Sequence, residues 1–401
     1  MNNNKEIIKI IFMLASIYFI SQFCRASLGV VAINIANDLE LNSEEIGRLG
    51  GVFFLAFAIT QIPLGILLDT YNPIKIIIVM LLLIFVGSIL FSIANHFYLL
   101  IIARSLQGIG CGVCLMGPLV IITKLTDAKK FSLYSGIVMG VGGLGALIAT
   151  DPFYYIVAIS SWKSAFFYSS FLIIFLILMI LIFFPKNFLR KDKSKISFNL
   201  NAYKKIVKNK NFLLMLPMSM FGYSSFAFIL TLWGSKYLYL VHNINKSNLS
   251  FLLMFMALSW SIGSIFFGYI EKKLQQKKNI IIFSSITMCV LLGGLCLNFN
   301  YNYYALLIIF SLIGFFGAFT LVLISHYRVL FNKKIIGKVL TTANLFNFSG
   351  VFFVQWLTGF IIFQSKKQYY FSNYSSFSLA FLVVIFFLCV SIYFYYKTDE
   401  V

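Results

Sequence analysis

A chain of 401 residues that is 60% hydrophobic and only 11% charged, with a mean hydropathy of +0.92, carries more apolar surface than a soluble domain of this size can bury. A membrane-crossing helix needs about 20 apolar residues, and runs of that length follow one another through the sequence, longer than the ~10-residue alternating strands of a membrane barrel. The formal net charge of +20 does not point to nucleic acid, because the basic residues are sorted by loop and not gathered on one patch.

The apolar runs predict twelve spans, near residues 7–36, 46–69, 74–94, 97–124, 131–158, 164–185, 211–238, 248–270, 279–299, 303–328, 336–363 and 374–396. The first is too long for a cleavable signal, contains Arg25 and lacks a small-residue cleavage site. Before the second span, Ser43 followed by Glu44 and Glu45 reads as a helix N-cap with acids in the first turn. Most of the 32 Lys and Arg fall in the N-terminus, the even-numbered loops and the C-terminus. The exceptions are Arg48, Lys163, Lys236, Lys246, Lys366 and Lys367 near the other side, and Arg25 and Arg104 inside spans. By the positive-inside rule both termini are expected in the cytoplasm. The longest polar insert, residues 186–210, is strongly basic and separates residues 1–185 from residues 211–401, six spans each. It is expected to lie on anionic lipid head groups. All six cysteines fall within spans, and Cys111 and Cys114, though spaced as CxxC, read as small packing residues.

The second span ends in "GILLDTYNPIK". Gly65 and Asp69 share a helix face, Asn72 is suited to a left-handed turn, and Pro73 with Lys75 opens the third span. This resembles the loop motif of the major facilitator superfamily, G-x-x-x-D-[RK]-x-G-[RK]-[RK], with Thr70, Asn72 and Ile74 departing from it. "RSLQGIGCG" from Arg104 resembles the family's fourth-span motif. "GIVMGVGGLG" from Gly136 resembles its glycine-rich fifth span, with Val141 where antiporters carry proline. "TTANLFNFSGVFFVQWLTG" from Thr341 resembles its eleventh span. The resemblance covers the whole chain and lies nearest bacterial organic-anion symporters and nutrient transporters of intracellular bacteria. It implies two pseudo-symmetric six-helix bundles and alternating access, with spans 1, 4, 7 and 10 lining a central cavity. It also implies a charge latch of Gly65, Asp69 and Lys75 that biases one access state.

Of twelve acidic residues only Asp151 lies well inside a span, against two intramembrane arginines. At 1.5 Å per residue, Arg25 sits roughly 24 Å from Lys9, while Asp151 and Arg104 each sit roughly 30 Å from the basic end of their spans. The three are thus expected near one level, leaving a site about one charge positive. Arg104 can pair with Asp151 and brace the N-half. Arg25, with no acid in its own helix, is the candidate to hold a cargo carboxylate or phosphate in bidentate fashion. Gln22, Gln107, Tyr223, Trp233, Asn344 and Asn347 are candidate substrate contacts, and Ser224 and Gln355 lie near them. Asp151 is the candidate for coupling to a proton, with sodium as the other candidate ion. His326 reads as an interface anchor.

These features indicate a secondary transporter, expected as a monomer, for uptake of a small anionic metabolite or amino acid by symport. A drug or siderophore exporter is the first rival, and a non-transporting sensor on the same fold is a rival of another class. No Walker-type phosphate loop occurs, and no catalytic, cofactor or metal constellation lies in the spans, so no enzyme activity is expected. The Lys-, Asn- and Ile-rich composition indicates a bacterial inner membrane. A reporter fused after Lys193 is expected to read cytoplasmic and one near Asn42 external. The reverse readout would remove the charge-bias argument.

Overall fold

The computed structural model describes residues 4–125, 128–184, 200–297, 299–331 and 336–399. Most of the basic insert and the side chain of Asp69 lie outside the described residues. Among those described, eleven helices are long and apolar enough to cross a membrane, and a twelfth span is made of two pieces bent by 40°. The side holding the two chain ends is called the terminal side below, and its opposite the far side.

Spans 1 to 3 are α1 (Asn4–Asp38), α2 (Ser43–Thr70) and α3 (Pro73–Ser92). Span 4 is α4 (Phe97–Cys111) and α5 (Val113–Leu125), broken at Gly112; span 5 is α6 (Ala128–Ile148) and α7 (Asp151–Ile159); span 6 is α8 (Trp162–Phe183). A short α9 (Leu200–Val207) precedes span 7, which comprises α10 (Lys210–Phe221), α11 (Ser224–Phe228), a π-helical turn (Ile229–Trp233) and α12 (Gly234–His242). Spans 8 and 9 are α13 (Lys246–Leu274) and α14 (Lys277–Leu295). Span 10 is α15 (Tyr303–Gly317) with α16 (Thr320–Leu330), and spans 11 and 12 are α17 (Ile336–Tyr369) and α18 (Asn373–Tyr396).

Two helix starts differ from the sequence reading. Asn42, not Ser43, caps α2: its side chain accepts from the Glu45 amide at 2.9 Å while the Glu45 carboxylate accepts from the Asn42 amide at 2.9 Å. This reciprocal pair needs an acid three residues after the cap, and counting from Ser43 would reach Ile46 instead. Asn72 is extended (φ −64°, ψ 119°), not left-handed, and caps α3 by accepting from the Ile74 amide at 2.9 Å. The ring of Pro73 pushes the residue before it towards extended backbone, which is the conformation a cap requires.

Of the span 5 glycines, Gly145 makes the close backbone approach expected, since a Cβ there would lie 2.2 Å from the Phe19 carbonyl oxygen of α1, whereas Gly136 and Gly140 have nothing within 4 Å of a Cβ. The same device joins the two halves on the far side. A Cβ on Gly29 would lie 2.4 Å from the Leu230 carbonyl, and one on Gly47 would lie 2.6 Å from that of Gln355. Two hydrogen bonds reinforce this seal, from the Ser235 hydroxyl to the Gly29 carbonyl and from the Ser250 hydroxyl to the Asp151 carboxylate. On the terminal side, by contrast, nothing lies within 4 Å of a Cβ placed on Gly65. The halves are therefore closed on the far side.

Because the atoms met at Gly29 are backbone, Gly29→Ala is expected to disfavour the sealed state by about 1–3 kcal/mol. A cysteine introduced in place of Leu232, fully buried behind this contact, should then react faster with a membrane-impermeant maleimide. Equal labelling with and without the Gly29→Ala change would place the seal elsewhere.

Candidate functional site

Between the halves lies a cavity of about 150 Å³. It reaches the terminal side, since Tyr327 and Leu340 on its wall stand within a turn or two of the terminal ends of α16 and α17. Broken helices shape it. Gly112, Tyr223 and Thr320, at or beside the breaks in spans 4, 7 and 10, all line the wall. A break frees backbone polar groups, which is tolerated at membrane depth only where they face protein or a water-filled space.

One face of α1 supplies Tyr18, Gln22 and Arg25, at helical spacings of four and three. One face of α17 supplies Ala343, Asn344, Asn347 and Phe348. The Arg25 guanidinium lies over the Phe57 ring at 4.5 Å and the Phe348 ring at 4.8 Å, so aromatic rings from both halves hold it. Arg25 is 7% exposed, makes no ion pair among the described residues, and its buried Nε has no hydrogen-bond partner. Cation–π contact offsets part of the cost of burying this charge but offers no acceptor to its N–H groups. The side chains of Gln22, Tyr223, Asn344 and Asn347 likewise have no hydrogen-bond partner among the described residues. Among the described residues no Asp, Glu, Lys or His lines the cavity.

Arg104 is nearby but differently used. It is 1% exposed and does not line the cavity. One terminal nitrogen donates to the Cys24 carbonyl at 2.9 Å and to Gln107 Oε1 at 3.0 Å, while the guanidinium lies 4.4 Å from the Phe53 ring centre. Gln107 in turn donates to Ser88 at 3.2 Å. Arg104 and Gln107 thus tie spans 1, 3 and 4 together within the N-half. The expected pairing of Asp151 with an arginine does not occur. The bend at Ala149 and Thr150 starts α7 at Asp151, and this directs its carboxylate to Ser250 of span 8.

Trp233 also stands away from the cavity. Its Nε1–H donates to Thr358 at 2.9 Å, and Gln355 donates to Thr231 at 2.7 Å, so both join span 7 to span 11. Ser224 is buried and bonded to the Met220 carbonyl. His326 is no interface anchor: it is 1% exposed and hydrogen-bonded to Tyr395 of α18. Phe57, Phe348, Tyr18 and Trp260 were not singled out by the sequence. The four-residue spacing of Phe57 and Gln61 on α2 was the available signal, but aromatic residues make up 18% of the chain and mask it.

Comparison with known proteins bears on this geometry. The sequence profile of the Major Facilitator Superfamily matches residues 14–355. An uncharacterised transporter of Buchnera aphidicola is 27% identical, over 56% of this chain and 70% of that one. A probable sulfoacetate transporter of Cupriavidus necator is 27% identical, over 39% of this chain and 36% of that one. The crystal structure of a bacterial homologue of the human lysosomal transporter Spinster, described as inward-facing and occupied, superposes with a TM-score of 0.81 at 14% identity, over 99% of this chain and 98% of that one. With this match across most of its length, and with its twelve-span helical architecture, the chain belongs to the major facilitator superfamily of membrane transporters.

Proposed function

We propose that this transporter takes up small organic anions across a bacterial inner membrane, and that Arg25 holds the anionic group of the cargo. The observation that carries this reading is the unpaired guanidinium on the cavity wall. A buried charge without a partner is costly, and a carboxylate, sulfonate or phosphate would supply the acceptors it lacks, in the planar geometry that suits arginine. Gln22 and Tyr223, with Asn344 and Asn347 from the other half, offer hydrogen-bonding groups to the rest of the cargo. Sulfoacetate, which the Cupriavidus relative is thought to carry, is an anion of this class. Both halves needed for the cavity belong to one chain, so a monomer suffices. The basic loops orient the terminal side to the cytoplasm, and the cavity then faces inward.

Closing the terminal side would bring span 11 towards Gly65, with Asp69 and Lys75 as the latch. Symport with a proton or sodium is one mode of working. It would use Asp151 at the seal, where opening of the far side breaks the Ser250 bond and exposes the carboxylate to outer water. Export of cationic drugs would suit the aromatic walls, but Arg25 repels a cation and no acid among the described residues of the wall attracts one.

A thermal-shift panel of short carboxylates, sulfonates and phosphate, with a lipophilic cation as control, tests the reading, because a ligand raises the melting temperature of the state it binds. Anions are expected to stabilise the wild type. Arg25→Ala should weaken that binding by about 100-fold or more, consistent with the loss of two charge-assisted hydrogen bonds, and Arg25→Lys should recover only part of it. Stabilisation by the cation alone would favour the exporter. In the absence of ligand, the two arginines should separate in the opposite sense. Arg104→Gln should lower the melting temperature, since hydrogen bonds to a charged group contribute ~1.5–3 kcal/mol, whereas Arg25→Gln should leave it unchanged or raise it.

A further inference from the structure

The charge of the empty cavity bears on how the transporter cycles. To pass from one access state to the other, the halves must close around the cavity from both sides. In that occluded state the wall groups lose most of their contact with water. Arg25 then stands as one positive charge with no counter-charge among the described residues. Among the described residues no carboxylate lines the cavity, and Asp151, the one acid well inside the spans, is engaged by Ser250 at the seal. Arg104 adds nothing to its neutralisation, being itself a cation, with one terminal nitrogen donating to the Cys24 carbonyl and Gln107 and its buried Nε without a partner. The rings of Phe57 and Phe348, whose centres are 4.3 Å apart, lie on one side of the guanidinium and accept none of its N–H groups. Desolvating an unpaired charge is far more costly than desolvating an ion pair. Occlusion is therefore opposed when the cavity is empty and allowed when an anion neutralises Arg25.

We infer that the protein is an anion exchanger: it changes access state with an anion aboard and is held when empty, so inward movement of one anion is matched by outward movement of another. This rests on the anion-binding reading of Arg25 and goes beyond it, because a site that binds an anion is equally compatible with symport, in which the empty protein returns. Neutralising Arg25 without any ligand should then release the cycle, although the same change destroys binding.

Spin labels on the far side read this without knowledge of the cargo. The exposed residues Ile159 and Gln368, one on each half, are changed to cysteine, with the three cysteines that are not buried, Cys289, Cys296 and Cys389, changed to serine. Electron–electron distances are measured in Tris neutralised with dextran sulfate, a polyanion too large to enter the cavity. The wild type and Arg25→Lys should show one far-side distance. Arg25→Gln should show a second, longer population, increased about tenfold or more over the wild type. A wild type that already samples both distances as much as Arg25→Gln would overturn exchange and return the cycle to symport, leaving anion binding by Arg25 to the thermal-shift panel. A single distance in all three proteins would overturn it as well, by showing that the charge is not what holds the empty state.

Discussion

The arrangement turns on one guanidinium that is buried, charged and unpaired. Most intramembrane ionisable groups pair with one another or with backbone. Arg104 follows that pattern, with a carbonyl and an amide oxygen as acceptors. Arg25, one helix away, does not. Phe57 from the N-half and Phe348 from the C-half lie together against one side of it, and it opens on a cavity that no acid among the described residues lines. Two arginines of like chemistry thus divide the work: one braces three helices, and the other is left available.

What makes that availability useful is the contrast between the two ends of the cavity. On the far side, helices approach until backbone touches backbone, which only glycine at Gly29 and Gly47 permits, and the Ser235 and Ser250 hydroxyls fasten the contact. On the terminal side the flank of Gly65 is empty. The face of α1 that presents Tyr18, Gln22 and Arg25 to the cavity continues one turn on to Gly29, so the proposed cargo site and the seal lie on a single helix surface. A ligand that shifts α1 at Arg25 acts directly on the contact at Gly29. The breaks in spans 4, 7 and 10 fall at the cavity itself, where such a shift can be absorbed without unwinding a continuous helix.

Much of this was legible in the sequence because it rests on patterns of long range or strong cost. Twelve apolar runs and a sided distribution of Lys and Arg are insensitive to individual residues. Arg25 stood out because a charge in an apolar run needs a reason, and Asn344 and Asn347 because their spacing puts them on one helix face. The positions that misled are those where partners are chosen across helices. Trp233 finds Thr358, Gln355 finds Thr231, and Asp151 finds Ser250, each more than 90 residues away in sequence. Counting rise per residue placed Asp151 at the level of the arginines but said nothing of its direction, and a 40° bend at Thr150 turned it to the other half. At the caps the sequence held the answer in finer detail: Glu45 three residues after Asn42, and Pro73 after Asn72.

The central claim is that Arg25 meets the cargo anion directly. Solid-state NMR on protein labelled with ¹⁵N in its arginine side chains, loaded with a ¹³C-carboxylate ligand, measures that contact as nitrogen–carbon dipolar dephasing. A bidentate pair would give a nitrogen-to-carboxyl-carbon separation of about 4 Å or less, and the dephasing should vanish when Arg25 is replaced by lysine. Dephasing that persists unchanged in that variant would place the anion on another arginine and contradict the account.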